Sequence, residues 1–106
     1  MVCMDQIKSG VYRIIKEIPS GRVSTYKEVA RSLGIKNYRL IGRALALNPY
    51  APIVPCHRIV LTDGRLGGYS GPGGASGKIR LLKKEGVPVR KGRIKDFEKY
   101  FFSLNV

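Results

Sequence analysis

The fold is decided by residues 24–49, which read STYKEVARSLGIKNYRLIGRALALNP. Thr25 and Glu28 have the spacing of a capping box, in which two side chains three residues apart cap free backbone N–H groups at a helix start. They predict a helix that begins after Thr25. Gly34 predicts the end of this helix, because glycine readily adopts the left-handed conformation that closes many helices.

A second helix is predicted after a break of only a few residues. Asn37 is a favourable N-cap residue, and Asn48-Pro49 indicates an end near Leu47, because the residue before proline avoids the helical conformation. Two short helices joined by a tight turn that contains glycine are typical of a helix-turn-helix. An ordinary helical hairpin gives the same pattern.

The helix predicted after Asn37 has two different faces. Three apolar residues share one side of a helical projection: Ile41, Ala44 and Leu45. Another side combines arginines with very small residues: Arg39, Gly42, Arg43 and Ala46. The second face favours close approach to a phosphate backbone, although small residues also serve close packing between helices.

An amphipathic helix is predicted before this pair. Its apolar residues recur at helical spacing: Met4, Ile7, Val11, Ile14, Ile15 and Ile18. Pro19-Ser20-Gly21 predicts its end, and residues 21–24 are expected to form an extended connector.

The chain after Pro49 changes character. Ile59-Val60-Leu61, followed by a turn sequence at residues 62–66, predicts a small hairpin or wing. Residues 67–77 are expected to be a glycine-rich loop. Apolar residues then predict one more helix, which ends at Glu85-Gly86; these are Ile79, Leu81 and Leu82.

The predicted fold is mainly α, a winged helix-turn-helix-like domain with a small β-hairpin. Residues 1–88 are expected to form the domain, and residues 89–106 a basic extension with a short helix. The apolar residues of this extension are expected to pack on the domain: Phe97, Tyr100, Phe101 and Leu104.

The charge of the chain favours a polyanionic partner. Twenty Lys and Arg against seven Asp and Glu give a formal net charge of +13 over 106 residues. Such a field attracts polyanions, and nucleic acid is the partner that we expect, with a membrane surface or a generally basic protein as alternatives. No apolar run is long enough for a membrane span and no signal peptide is recognised, so we expect an intracellular, cytoplasmic protein without a membrane partner.

The cysteine and histidine counts exclude a structural zinc site within one chain. Two Cys and the single His57 cannot supply the four ligands that structural zinc usually takes. No metal is therefore expected, and Cys3 is assigned no role.

Candidate chemistry is concentrated at Pro55-Cys56-His57-Arg58. A thiol becomes a strong nucleophile as a thiolate, and neighbouring basic or cationic groups favour that form. A free cysteine is often only a buried apolar residue, so the residues alone leave both interpretations open.

Several ordered motifs resemble those of the O6-alkylguanine-DNA alkyltransferases. Pro55-Cys56-His57-Arg58-Ile59-Val60 is similar to the active-site motif Pro-Cys-His-Arg-Val of that family. Further matches occur at Ser24-Thr25-Tyr26, at Arg39, at Asn48-Pro49, at Gly68-Tyr69-Ser70-Gly71, and at Lys78, Leu81-Leu82 and Glu85-Gly86. The resemblance extends from about Val11 to Gly86.

The resemblance implies a nucleophile and its activation. Cys56 would accept an alkyl group from O6 of guanine, once per chain and irreversibly. His57 would deprotonate Cys56 through a water, and Glu85 would orient His57. Asn48 would brace the active-site turn. No cofactor is implied.

The resemblance also implies how the base is reached and held. The target nucleotide would rotate out of the duplex, Arg39 would fill the space, and Tyr26 would crowd the phosphate and donate towards guanine N3. The helix carrying Gly42, Arg43 and Ala46 would lie close to the DNA. The base would lie in a pocket formed by Leu45, Tyr69, Ser70, Gly71 and the carbonyl groups of Cys56 and Ile59.

The expected partner is double-stranded DNA that contains O6-alkylguanine, bound by a monomer. The chain begins almost directly with the first predicted helix, whereas most family members carry an additional N-terminal domain. One alternative is an alkyltransferase-like protein that binds the lesion without transfer, although such proteins typically have Trp where this chain has Cys56. The other is a winged-helix regulator in which Cys56 is structural.

Overall fold

The computed structural model describes residues 4–51, 53–69 and 71–104. Its secondary structure consists of short helices and two-residue strands, in the order α1 Met4–Ile15, β1 Ser24–Thr25, α2 Tyr26–Leu33, α3 Tyr38–Ala46, β2 Ile59–Val60, α4 Gly74–Lys84, β3 Val89–Arg90, β4 Arg93–Ile94 and α5 Phe97–Tyr100. A 3-10 turn, Cys56–Arg58, lies between α3 and β2. The predicted fold class, mainly helical with a helix-turn-helix, is confirmed.

The helix-turn-helix begins and ends where its capping residues predict. Thr25 Oγ1 accepts a hydrogen bond of 3.0 Å from the backbone N–H of Glu28. Gly34 has φ 69°, and its N–H caps α2. Asn37 Oδ1 accepts from the N–H of Arg39 at 3.0 Å, which fixes the first turn of α3. One free N–H group at each helix start is thus satisfied by a capping side chain.

Glu28 does not complete the predicted capping box. Its carboxylate accepts hydrogen bonds from Leu104 N–H at 2.9 Å and from Ser103 Oγ at 3.0 Å. Arg31 pairs with the same carboxylate and also donates to the carbonyl of Leu104 at 2.5 Å. Because the C-terminal segment supplies these donors, the Glu28 carboxylate bonds to that segment and does not complete the box. Glu28 thus connects α2 to Ser103 and Leu104.

The small hairpin lies at residues 89–94 and not at residues 59–66, so its predicted location was wrong. β3 and β4 pair antiparallel. β2 instead pairs in parallel with β1, with Ser24 opposite Ile59. Both residues of β2 are buried, and the backbone turns tightly after it, with Leu61 N–H donating to the carbonyl of Arg65 at 2.8 Å. This parallel pair brings the start of α2 next to the turn that contains Cys56.

The glycine-rich loop is shorter than predicted, because α4 already begins at Gly74. Gly77 lies within this helix and packs tightly against the loop. A Cβ at Gly77 would lie 1.9 Å from the carbonyl oxygen of Pro72. Glycine is therefore required here for close packing and not for flexibility.

Two clusters of buried side chains form the core. The larger one joins α1, α2 and α3 and includes Ile15, Ile41 and Leu104. The smaller one lies between β2, α4 and the C-terminal segment and includes Val60, Leu82 and Ile94. Ile41, Ala44 and Leu45 are buried, so the apolar face of α3 is confirmed.

The C-terminal segment contributes to both clusters and to the small sheet. Val23 forms a parallel bridge with Phe101, and its backbone bonds to Tyr100 and Phe102 at 2.8 and 2.7 Å. Leu104 is 1% exposed within the larger cluster. Phe97 and Tyr100 pack on the smaller cluster.

We expect Leu104→Ala to destabilise the protein by about 2–5 kcal/mol, because it leaves a cavity in the larger cluster. In a domain of this size that corresponds to a melting temperature lower by about 8 °C or more. Thermal unfolding followed by circular dichroism measures the change. Glu98→Ala, an exposed change in the same segment, serves as the control. An unchanged melting temperature for Leu104→Ala would show that the end of the chain is not part of the core.

Candidate active site

Cys56 lies at the start of the 3-10 turn and is 5% exposed. Its N–H donates to the carbonyl of Val54 at 2.8 Å. The buried Asn48 side chain holds the same segment, because Nδ2 donates to Val54 O at 3.0 Å and Oδ1 accepts from Tyr50 N–H at 2.9 Å. The contacts expected for Asn48 are therefore present, and they fix the backbone just before the thiol.

His57 and Glu85 are in direct contact. His57 Nε2 lies 2.9 Å from Glu85 Oε2, and the imidazole is 1% exposed. Burial, together with the charges of Arg58 and Lys78, lowers the pKa of His57 against the opposing effect of the neighbouring Glu85. An ionised carboxylate can only accept, so Nε2 carries the hydrogen and Nδ1 is left as the basic atom. Nδ1 is buried and has no hydrogen-bond partner in the described part of the chain.

Arg58 binds the same carboxylate, a contact that the sequence interpretation missed. Its Nε donates to Glu85 Oε1 at 3.0 Å and its Nη2 to Oε2 at 2.7 Å. Nη1 donates to the carbonyl of Ile18 at 2.8 Å. Burial alone would raise the pKa of Glu85, but hydrogen bonds from Arg58 and His57 lower it overall. Glu85 is therefore a partly buried anion with defined hydrogen-bond donors, and it is not a solvated charge.

The contacts of Lys78 were also missed by the sequence interpretation. It lies on α4, is fully buried, and donates from Nζ to three backbone carbonyls. The acceptors are Ile59 at 2.7 Å, Gly68 at 3.1 Å and Leu66. Burial lowers the pKa of Lys78 to about 8. The sequence signal was its place among the matched motifs, but nothing there distinguishes it from a surface lysine.

A cavity of about 640 Å³ opens beside Cys56. Seven of the predicted site residues line it: Tyr26, Arg39, Gly42, Leu45, Ala46, Cys56 and Tyr69. Three further residues line it that were not predicted: Tyr38, Leu61 and Gly68. The structure thus joins the thiol to the small-residue face of α3 in one mostly apolar space.

The other described residues among those predicted do not line this cavity. Ile59 is buried in β2. Arg43 lies on the exposed side of α3. A Cβ at Gly71 would lie 2.3 Å from the Tyr69 ring, so this glycine packs under the tyrosine. Ser70 falls outside the described residues.

Two tyrosines at the cavity keep their protons at neutral pH. Burial, followed by the charge of Cys56, raises the pKa of both Tyr26 and Tyr69. The Tyr26 hydroxyl lies close to Gly67, where an added Cβ would be 3.1 Å away. Each phenol is therefore a hydrogen-bond donor at physiological pH.

The exposed face of α3 is open. A Cβ at Gly42 would meet no atom within 4 Å in the described part of the chain. Arg39 and Ala46 are exposed beside it. Packing within the described residues therefore does not explain the glycine, and a surface free of side chains remains at the mouth of the cavity.

Residues 4–51, 53–69 and 71–104 contain no group of three or more His, Cys, Asp or Glu residues placed to hold a metal ion. None of their helices is both long and apolar enough to cross a membrane.

Several known proteins are similar to this chain in sequence. A bifunctional methyltransferase/endonuclease of Thermoplasma volcanium is 37% identical over 95 residues, which cover 89% of this chain and 30% of that protein. A methylated-DNA–protein-cysteine methyltransferase of Saccharolobus islandicus is 44% identical over 79 residues, 74% of this chain and 50% of that one. The chain thus spans 30% to 50% of the length of these curated relatives.

A solved structure extends the likeness over nearly the whole chain. S. pombe Atl1, crystallised in complex with damaged DNA containing O6-carboxymethylguanine, has a TM-score of 0.83 and 30% sequence identity. The superposition covers 96% of this chain and 99% of Atl1. Residues 6–87 match the family described as 6-O-methylguanine DNA methyltransferase, DNA binding domain, and the chain belongs to that family.

Proposed function

We propose that this protein repairs double-stranded DNA by moving an alkyl group from O6 of guanine onto Cys56. The observation that carries the proposal is the position of Cys56. The thiol lies at an apolar cavity that is also lined by the open face of α3, and the His57–Glu85 pair adjoins it in the chain. A binding module has no need for a cysteine beside an oriented, uncharged imidazole.

The activation step uses the basic nitrogen that Glu85 leaves on His57. Because Nε2–H donates to Glu85, Nδ1 accepts a proton from Cys56 through a water molecule. The thiolate attacks the alkyl carbon, an S–C bond forms, and the C–O6 bond breaks with its electron pair passing into the guanine. Tyr26, a neutral phenol, donates towards N3 and reduces the developing charge. The guanine takes up a proton from water, and His57 returns to water the proton that it received from Cys56. The thioether has no thiolate left, so each chain reacts once.

The access step uses α3. O6 of guanine is inaccessible inside a duplex, so the nucleotide must rotate out. Arg39 fills the vacated space, while Gly42 and Ala46 allow α3 to approach the backbone. Arg43 and the net charge of +13 supply attraction to phosphates.

The pocket step uses the walls of the cavity. Leu45 and Tyr69 contact the base, and Gly71 allows Tyr69 to pack closely. Ser70 donates to O6. The carbonyl groups of Cys56 and Ile59 accept from the exocyclic amine.

A second candidate is lesion binding without transfer. It is favoured by the likeness to S. pombe Atl1, which was crystallised with damaged DNA and matches over 99% of its own chain. Both candidates use the same cavity and the same face of α3. They differ at Cys56, which only transfer requires.

We expect the wild-type protein to gain the mass of one methyl group per chain when it is incubated with a duplex containing O6-methylguanine. Cys56→Ala should gain none, because the nucleophile is missing. Cys3→Ala is the matched control, since it removes the only other cysteine, and it should react like the wild type. Intact-mass spectrometry with peptide mapping measures the product.

Two outcomes would contradict transfer. Tight lesion binding by the wild type without any mass gain would support the binding protein instead. No mass gain and no preference for the lesion would leave a basic winged-helix domain that binds unmodified DNA.

We expect Arg39→Ala to slow methyl transfer from duplex DNA by about 10-fold or more, because opening a base stack costs a few kcal/mol and Arg39 stabilises the opened state. Transfer from single-stranded DNA should change much less. Arg13→Ala, an exposed arginine on α1 away from the cavity, is the control of equal charge. Rates measured under single-turnover conditions decide the point, and equal losses in both variants would assign Arg39 to general phosphate attraction.

A further inference from the structure

We propose that the β3–β4 hairpin, residues 89–94, is a second DNA-binding surface that contacts the phosphate backbone beside the cavity. Its partner, double-stranded DNA, is that of the proposed function, on which the inference rests. The access step described above uses only α3 and the net charge of the chain, and it assigns no part to this hairpin. Residues 89–94 are called the basic hairpin below.

The basic hairpin is hydrogen-bonded to a wall of the cavity. Leu66 N–H donates to the carbonyl of Gly92, in the hairpin turn, at 3.1 Å. Leu66 belongs to residues 61–68, and the two ends of that segment, Leu61 and Gly68, line the cavity together with Cys56. Because Gly68 follows Leu66 by only two residues, the hairpin turn lies on the order of 10 Å from the cavity wall.

The inner side of the basic hairpin is fixed to the domain. Ile94 is buried, and Val89 packs against the same smaller cluster. Ile94 N–H also donates to the carbonyl of Gly64 at 2.8 Å. These contacts hold the hairpin in one position and leave its outer side to the solvent.

The outer side of the basic hairpin carries only positive charge. Arg90, Lys91 and Arg93 are exposed, and the hairpin contains no carboxylate. None of the ion pairs within the described part of the chain includes any of these three side chains. Asp63, whose charge also interacts with Arg93, is paired with Arg65 at 2.7 Å. The three cations are therefore available to an anion from outside the chain.

Lys91 occupies a backbone position that does not suit a lysine. Lys91 and Gly92 form the two-residue turn, and their φ angles are 52° and 75°. Turns with positive φ at both positions favour Asn followed by Gly, because most side chains disfavour the left-handed conformation. Asparagine would satisfy this turn at a lower conformational cost but without a charge. The lysine places an ammonium group at the tip of the hairpin.

A duplex backbone is the anion that fits this arrangement. The three cations are exposed along a short hairpin and do not converge on a pocket, and duplex DNA presents about one charge per 1.7 Å of its axis. A duplex that delivers a nucleotide into the cavity lies across the opening, and its flanking phosphates are then close to the hairpin. Contacts to phosphates position a duplex and carry no base information. The basic hairpin should therefore strengthen binding to damaged and undamaged DNA alike.

The experiment measures the binding of an unmodified DNA duplex over a series of salt concentrations. We expect the slope of log affinity against log salt to become shallower by about 0.9 for each phosphate contact that is lost. Lys91→Asn should lose one such contact, while its melting temperature stays equal to that of the wild type or rises, because Asn suits the turn. A variant that combines Arg90→Gln, Lys91→Asn and Arg93→Gln should show a larger change of slope.

Lys16→Asn is the matched control. Lys16 is an exposed lysine just after α1 that does not line the cavity, and its replacement changes the net charge by the same amount as Lys91→Asn. It should keep the wild-type slope.

Two results would overturn the inference. One is a folded triple variant with the slope of the wild type; if that variant does not fold, a wild-type slope for Lys91→Asn decides instead. The other is a slope for Lys16→Asn as shallow as that for Lys91→Asn, since total charge and not the hairpin would then determine binding. An unmodified duplex has no alkyl group to give, so neither result depends on transfer to Cys56. A wild type that shows the hairpin effect but gains no methyl group would overturn the proposed transfer alone.

Discussion

The carboxylate of Glu85 is the point on which the arrangement around Cys56 depends. It accepts from His57 Nε2 and, through both oxygens, from Arg58. Arg58 in turn reaches the carbonyl of Ile18, beyond the end of α1. A negative charge at the C-terminal end of a helix is unfavourable for the helix dipole. The Glu85 carboxylate, just after α4, is stabilised by these donors. Because it can only accept, it also selects the tautomer of His57 that carries a hydrogen on Nε2.

Three polar side chains buried near the nucleophile share one feature. Asn48, Lys78 and His57 are each buried, and the structure gives each a partner in the backbone or in Glu85. A buried polar group without partners would cost more than an apolar residue of the same shape. These groups therefore specify the conformation of the Cys56 turn and its cavity. Stability in the rest of the domain comes from the two apolar clusters, to which the C-terminal segment contributes Leu104.

The helices of this fold were predictable because each has a local signal. Thr25, Gly34 and Asn37 act where their backbone chemistry predicts, and the apolar side of α3 is buried. The hairpin was placed wrongly because two-residue strands carry no alternation that identifies their partner. The start of α4 was missed because Gly74 and Gly77 look like loop residues, while Gly77 is in fact set by the close approach of Pro72.

The candidate site was predictable to a different degree. The resemblance named residues that the structure brings to one cavity, from Tyr26 and Arg39 to Cys56 and Tyr69. It did not single out Arg58 or Lys78, because a cationic side chain is usually exposed and only its burial against acceptors shows otherwise. Glu28 illustrates the same limit, since a capping motif does not reveal that a distant C-terminal segment competes for the carboxylate.

The most direct test of this account is the ionisation and tautomer of His57, measured by nitrogen-15 NMR of the imidazole. The chain contains a single histidine, so its ring signals need no assignment among others. The account predicts a neutral ring at pH 7 with its proton on Nε2 and a pKa lowered from its usual value, because burial and the charges of Arg58 and Lys78 together outweigh the effect of Glu85. A ring that is protonated at pH 7, or that carries its only proton on Nδ1, would leave no base for Cys56 and would contradict the account.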